Sequence, residues 1–319
     1  MNKYLFISIF LLSCSLNLFG QDLINNTSEK SFYDIGYKEV SESDSLKLDI
    51  FLPEKTDKQS IPLITIVHGG AWIAGDKELE SIYYMRELKR KLLDAGIAVA
   101  SIQYRLVDST THFPYPIQDC KDAVRWLHAH ADQYGLDTTR FAVWGGSAGA
   151  HLALLMANSE DHEFLGDPDL ARYPCDLKFV IDNFGPTDLN ALFRMDIGKL
   201  GTWIFKSFIN KLYLAQRTIT FAMTGYPFAE KQKIKDMNWE FSPMRLINNS
   251  SVPTLIMHGT KDQIVPLRQS KMLQAALNQQ GIQNQLIIVK NGDHGFNNIP
   301  TEKLDELIDT TVDFAQQHF

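Results

Sequence analysis

The stretch Ala142-Val143-Trp144-Gly145-Gly146-Ser147-Ala148-Gly149-Ala150-His151 decides how the rest of the chain is read. Apolar residues lead into Gly145, Ser147 and Gly149 at alternate positions, and Leu152-Ala153-Leu154-Leu155-Met156 follows. That order predicts a buried strand, a turn too tight for side chains at two positions, and then a helix. Such a turn lifts the Ser147 hydroxyl clear of the sheet edge and points a helix N-terminus at whatever it attacks. Glycine and serine also mark ordinary turns, so the motif takes its meaning from its surroundings.

Upstream, Pro62-Leu63-Ile64-Thr65-Ile66-Val67-His68 is a continuous apolar run, typical of a strand covered on both faces. It ends in His68-Gly69-Gly70-Ala71-Trp72. A helix is predicted over 80–95, capped by Gly96, and Ile97-Ala98-Val99-Ala100-Ser101-Ile102 reads as the next buried strand. Phe113-Pro114-Tyr115-Pro116 forms a loop before a helix over 117–134, and 140–144 is the strand that feeds the turn. Downstream, 177–184, 252–258 and 286–289 read as strands, with helices over 267–280 and 302–317. Alternating strands and helices predict an α/β fold: a mostly parallel sheet covered by helices on both faces. Ahead of it, 37–40 and 46–53 alternate in the manner of an antiparallel pair.

The span 192–240 breaks this rhythm. Large apolar residues, among them Leu200-Gly201-Thr202-Trp203-Ile204-Phe205-Lys206-Ser207-Phe208-Ile209, alternate with Lys206, Lys211 and Arg217. They predict helices inserted over the end of the sheet, either as a cap that lines a pocket or as extra core packing.

At the start of the chain, Lys3 precedes the apolar run Tyr4 to Leu12, and Leu18-Phe19-Gly20-Gln21 offers a small residue for cleavage. The run is too short to span a bilayer and matches a signal peptide core, so residues 1–20 are expected to direct export to the periplasm or medium. Lipidation at Cys14 is the second expectation. Residues 21–36 read as a mobile leader and 37–319 as the folded domain. The net charge of −7, without a basic block, argues against nucleic acid as a partner. Cys120 and Cys175 form one disulfide or remain free thiols; two cysteines make neither a disulfide scaffold nor a zinc site.

A serine hydroxyl is a weak nucleophile until an imidazole takes its proton, and that imidazole needs its tautomer fixed. Loops at the C-terminal ends of parallel strands can reach Ser147. Asp262 lies in the loop after 252–258, and His294 in the loop after 286–289. Ser147, Asp262 and His294 are therefore the expected catalytic residues, with Asp188 as the alternative acid. Asp293, adjacent to His294, should diverge from it. His258 and His151 are expected to be structural, His151 packing or donating a hydrogen bond. An oxyanion formed by attack on an ester needs backbone N–H donors. Ala148 is one, and Gly70, then Ala71 or Gly69, supplies the other from a loop whose glycines permit close approach. His68 shapes that loop and Trp72 walls the pocket. No cofactor or metal is expected: His128 and His130 face apart on a helix, and neither a phosphate-binding loop nor a dinucleotide fingerprint occurs.

Residues 37–317 resemble the bacterial carboxylesterase branch of the α/β-hydrolases with a His-Gly-Gly-x-Trp loop. This branch is near the hormone-sensitive-lipase-like esterases and the feruloyl and acetyl-xylan esterases. The resemblance rests on 48–53, 68–72, Tyr104-Arg105-Leu106, Phe113-Pro114, 119–126, 145–151, Ser242-Pro243 and the loops of Asp262 and His294. His-Gly-Gly-Ala-Trp departs from the His-Gly-Gly-Gly of the hormone-sensitive-lipase-like enzymes and leans toward the feruloyl and acetyl-xylan group and toward kynurenine-formamidase-like enzymes. The resemblance implies a serine esterase for short acyl esters, acetyl or feruloyl esters of carbohydrates among them, with an arylformamidase-like or other small amidase as the alternative.

Overall fold

The computed structural model describes residues 30–41, 44–54, 60–195 and 210–319. The expected export segment, Cys14 and the stretch 200–209 lie outside these residues. The chain runs β1 (Lys30–Ser41), β2 (Asp44–Leu52), β3 (Ile61–Val67), α1 (Tyr83–Asp94), β4 (Ala98–Ile102), α2 (Tyr115–Ala129), α3 (Ala131–Tyr134) and β5 (Leu136–Gly146). It continues through α4 (Ala148–Asn158), β6 (Val180–Asn183), α5 (Leu189–Leu192), α6 (Asn210–Thr224), α7 (Lys231–Glu240), β7 (Thr254–Gly259), α8 (Arg268–Gln279), β8 (Asn284–Val289) and α9 (Thr301–His318).

The apolar run of β3 divides by the two-residue period of a strand. Leu63 and Val67 enter a core with α2, α4 and α8, while Ile64 and Ile66 enter a second core with α1 and α9. Among the described residues the sheet order is β1-β2-β4-β3-β5-β6-β7-β8; β2 runs antiparallel to both its neighbours, β1 and β4, and the other pairings are parallel. This is an α/β-hydrolase fold with a helical insertion.

Register builds the site. Val67 lies opposite Gly145, Gly146 opposite Asn183, Asn183 opposite Met257, and Gly259 opposite Val289. The loops after β3, β5, β6, β7 and β8 therefore leave the sheet at one edge. β4 and β5 flank β3 on opposite sides, the reversal of winding at which open α/β sheets leave a crevice.

The N-terminal boundary needs correction. Residues 30–36, expected within a mobile leader, belong to β1. Its pairing with β2 shifts between Phe32 and Ile35, Gly36 and Lys38, and Glu39 and Ser41. These bulges erase the alternation by which a strand is recognised in sequence. The Asp34 N–H donates to Asp49 Oδ1 at 2.8 Å. Lys38 Nζ reaches the buried Asp119 and Asp122 of α2 at 2.7 and 2.6 Å, and Arg105 forks onto Asp119 at 2.7 and 2.6 Å.

The described part of the insertion comprises α6 and α7. The Phe113 N–H donates to the Met223 carbonyl (2.9 Å), and His112 Nδ1–H to that of Ala222 (2.7 Å). Ser242 Oγ accepts from the Leu189 N–H (3.0 Å) and donates to the Asn238 carbonyl (2.6 Å). The insertion is thus anchored to the loops after β4 and β6. Cys120 and Cys175 are both free thiols, so the disulfide considered from sequence does not form. Burial raises both thiols, Cys175 to about 11.

Candidate active site

Ser147 stands where β5 turns into α4, with φ 56° and ψ −119°. A non-glycine residue held at positive φ costs about 1–3 kcal/mol and persists where its surroundings over-determine it. Here the Ser147 N–H donates to the Asn183 carbonyl (2.9 Å), and its own carbonyl accepts from the His151 N–H (3.1 Å). Its hydroxyl faces His294 Nε2 at 2.8 Å, and His294 Nδ1 faces Asp262 Oδ2 at 2.7 Å. The three expected residues, each from a different strand end, meet in one chain of hydrogen bonds.

The protons in that chain follow from the partners. Burial by itself would raise Asp262; hydrogen bonds from His258 and His294 and the backbone N–H of Val265 outweigh it and hold the carboxyl at about 2. As an acceptor, Asp262 requires the proton on His294 Nδ1, which leaves Nε2 unprotonated toward Ser147. That is the state in which an imidazole can take the hydroxyl proton.

The other candidates have separate work. His258 is buried, with Nε2 2.8 Å from the Val265 carbonyl and 3.3 Å from Asp262 Oδ2, and Nδ1 2.7 Å from Ser270 Oγ. A carbonyl can only accept, so Nε2 carries the proton and Nδ1 accepts from Ser270. His258 therefore backs Asp262 directly, a role beyond the structural one read from sequence. Asp188, the alternative acid, caps α5: its Oδ1 accepts from the Ala191 N–H at 2.9 Å. Asp293 is not the partner of the His294 ring, whose Nδ1 faces Asp262; its backbone N–H donates to Asn298 Oδ1 (3.0 Å). His130 stacks on Trp126 while His128 meets Phe141 edge-on. Among the described residues no cluster of three potential metal ligands occurs.

The loop after β3 closes against Ser147. A Cβ on Gly69 would lie 2.9 Å from the Gly146 carbonyl and 3.5 Å from Ser147 Cβ, so this backbone packs against the turn that carries Ser147. Gly70, Ala71 and Trp72 follow at φ 112°, 53° and 62°. The Gly70 carbonyl accepts from the N–H groups of Ile73 and Ala74, each at 3.1 Å. Ala148 opens α4, where an N–H has no acceptor within its helix. His68 donates from Nδ1 to the Gly69 carbonyl (2.8 Å) and stacks on Tyr104, whose hydroxyl donates to the His68 carbonyl. Burial lowers His68, consistent with a neutral ring that shapes the loop.

Trp72 differs from expectation. Instead of walling an open pocket it is 3% exposed, edge-on to Phe113 and His151. Its indole N–H reaches His151 Nδ1 at 3.3 Å, so the side chain is directed into the core rather than toward solvent. Phe184, not singled out from sequence, meets the His294 ring edge-on with centroids 4.8 Å apart. Its position at the C-terminal end of the strand 177–184, beside the strand that carries Ser147, is the signal the sequence offers.

Residues 48–277 match the BD-FAE family. Esterase LipC of Mycobacterium tuberculosis is 25% identical over 226 residues, 70% of this chain and 50% of LipC, so the chain spans half the length of that relative. A solved structure of a truncated carbohydrate esterase from gut microbiota superposes with a TM-score of 0.69 at 25% identity, covering 90% of this chain and 96% of the other. A bifunctional GH43-CE protein of Bacteroides eggerthii gives a TM-score of 0.69 at 27% identity, over 89% of this chain and 35% of its own. The family match extends over 48–277 and takes in both the glycine-rich loop and Asp262, and the chain belongs to the BD-FAE family.

Proposed function

We propose that the protein is a serine esterase for short acyl esters, with acetyl and feruloyl esters of carbohydrates as its substrate class. The observation that carries this reading is the continuous Ser147–His294–Asp262 chain, with contacts of 2.8 and 2.7 Å. Ser147 Oγ attacks the ester carbonyl carbon as its proton passes to His294 Nε2. The tetrahedral intermediate then expels the alcohol, which leaves with that proton, and an acyl-enzyme remains on Ser147. Water attacks the acyl group, again losing a proton to His294, and the carboxylic acid departs as Ser147 is restored. The N–H groups of Ala148 and of Gly70, with Gly69 and Ala71 beside it, stabilise the oxyanion; one such donor is worth about 10²–10³ in kcat.

The substrate class draws support from the family and from the gut carbohydrate esterase that shares the fold over most of both chains. Export, supported by the apolar run from Tyr4 to Leu12, would place the enzyme where polysaccharide esters occur. The test compares p-nitrophenyl acetate, longer acyl esters, acetylated xylan, methyl ferulate and N-formylkynurenine with the purified protein. Turnover of acetyl or feruloyl esters above the formamide is expected. Hydrolysis of the formamide alone would transfer the reading to an amidase.

A further inference from the structure

One turn of α4 beyond Ser147, His151 is completely buried. The Trp72 indole N–H donates to its Nδ1 at 3.3 Å, and its Nε2 faces the Phe241 carbonyl at 2.7 Å. An indole only donates and a carbonyl only accepts, so the ring is the neutral Nε2–H tautomer with both nitrogens engaged. Burial, which pushes His151 down to about 4, keeps it so at neutral pH.

We propose that His151 is a positioning residue for oxyanion stabilisation: it holds the Gly69–Trp72 loop at a set distance from the turn of Ser147 and ties both to the end of the inserted helices. The proposal rests on the esterase reading of Ser147. Two observations carry it. The first is that, after Gly70, two successive non-glycine residues of the loop, Ala71 and Trp72, have positive φ, a conformation that must be imposed by their surroundings. The Trp72 carbonyl is held by the Val107 N–H (2.8 Å), and its side chain is held by His151 and Phe113. The second is that His151 is fixed to the nucleophile's turn through its own N–H, which donates to the Ser147 carbonyl (3.1 Å). The donor at Ala148 and the donors of the loop are therefore located relative to one imidazole. Phe241, immediately after α7, supplies its third attachment, so the insertion bears on the geometry of the oxyanion site without touching the reacting atoms. Displacing a catalytic group by about 1 Å can cost about 10²-fold in rate.

The test uses p-nitrophenyl acetate with wild type, Trp72→Phe, His151→Leu, His151→Gln and the double variant Trp72→Phe/His151→Leu. Trp72→Phe keeps an aromatic ring against Phe113 and removes the indole donor. Each of Trp72→Phe and His151→Leu should lower kcat about 10- to 100-fold with KM changed less than about threefold. The double variant should be no slower than the worse single one, because both remove the same link. His151→Gln, which can still accept and donate, should recover most of the loss. If His151→Leu does not fold, Trp72→Phe decides. A folded Trp72→Phe enzyme with kcat within about twofold of wild type, or single effects that multiply in the double variant, would overturn the proposal. Wild-type turnover that survives Ser147→Ala would instead remove the esterase reading, and the proposal with it.

Discussion

Asp262 and His294 meet through one carboxylate oxygen: Oδ2 lies 2.7 Å from Nδ1, while Oδ1 is held by the N–H groups of Ile264 and Val265, each at 2.9 Å. Asp262 is thus fixed by its own loop before it engages the imidazole, and His258 Nε2 lies 3.3 Å from the same Oδ2. Removing the charge while keeping the shape is the sharpest test of this arrangement. Asp262→Asn should reduce kcat by about 10⁴-fold through loss of the correct tautomer, as in other serine triads. Asp188→Asn should stay within about threefold of wild type, since asparagine caps a helix as well as aspartate. Steady-state rates on p-nitrophenyl acetate distinguish the two, and the reverse ranking would move the acid to Asp188.

Lys38 joins β1 to α2 by placing its ammonium between two buried carboxylates. Lys38→Met leaves Asp119 with Arg105 but strips Asp122 of its close partner on β1. Breaking a buried pair in this way should destabilise the fold by about 3–5 kcal/mol, measured by urea unfolding. An unchanged unfolding midpoint would show that residues 30–41 contribute little to the domain.

Asp182, buried in β6, accepts from the Gly185 N–H at 2.7 Å, and burial raises its carboxyl to about 6. The sign of its contribution follows. In the unfolded chain the group ionises near 3.8, so between pH 4 and 6 the folded state binds more protons. Its contribution is fully present below pH 4 and is lost as pH rises through 6. A shift of this size corresponds to about 3 kcal/mol. Asp182→Asn should therefore gain stability relative to wild type by about that amount between pH 4 and 8, followed by denaturant titration at each pH. A gap that does not change with pH would contradict the assignment.

The parts of this molecule legible in its sequence are those that depend on local pattern. The strands leading to Ser147 and Asp262 read clearly because burial on both faces makes them continuous apolar runs, and β8, an edge strand with Ile288 exposed, still carries the run Leu286-Ile287-Ile288-Val289; chain order then places their loops at one edge. β1 was harder: its bulges disrupt the two-residue period, and Asp34 and Lys38 act through partners that are distant in sequence. Trp72 was misread for a similar reason. An aromatic residue beside a glycine-rich loop suggests a pocket wall, whereas its side chain is held in the core by His151 and Phe113, partners distant in sequence. The contact between His151 and Phe241 spans 90 positions and depends on how α7 returns to the sheet, so no local pattern reveals it.

Covalent labelling asks of the protein itself whether Ser147 is the nucleophile. The intact protein is treated with a fluorophosphonate at pH 7.5, digested, and mapped by mass spectrometry. One adduct per chain is predicted, on the peptide containing Ser147, with labelling abolished in Ser147→Ala. An adduct on another residue, or labelling that persists in Ser147→Ala, would rule out Ser147 as the nucleophile.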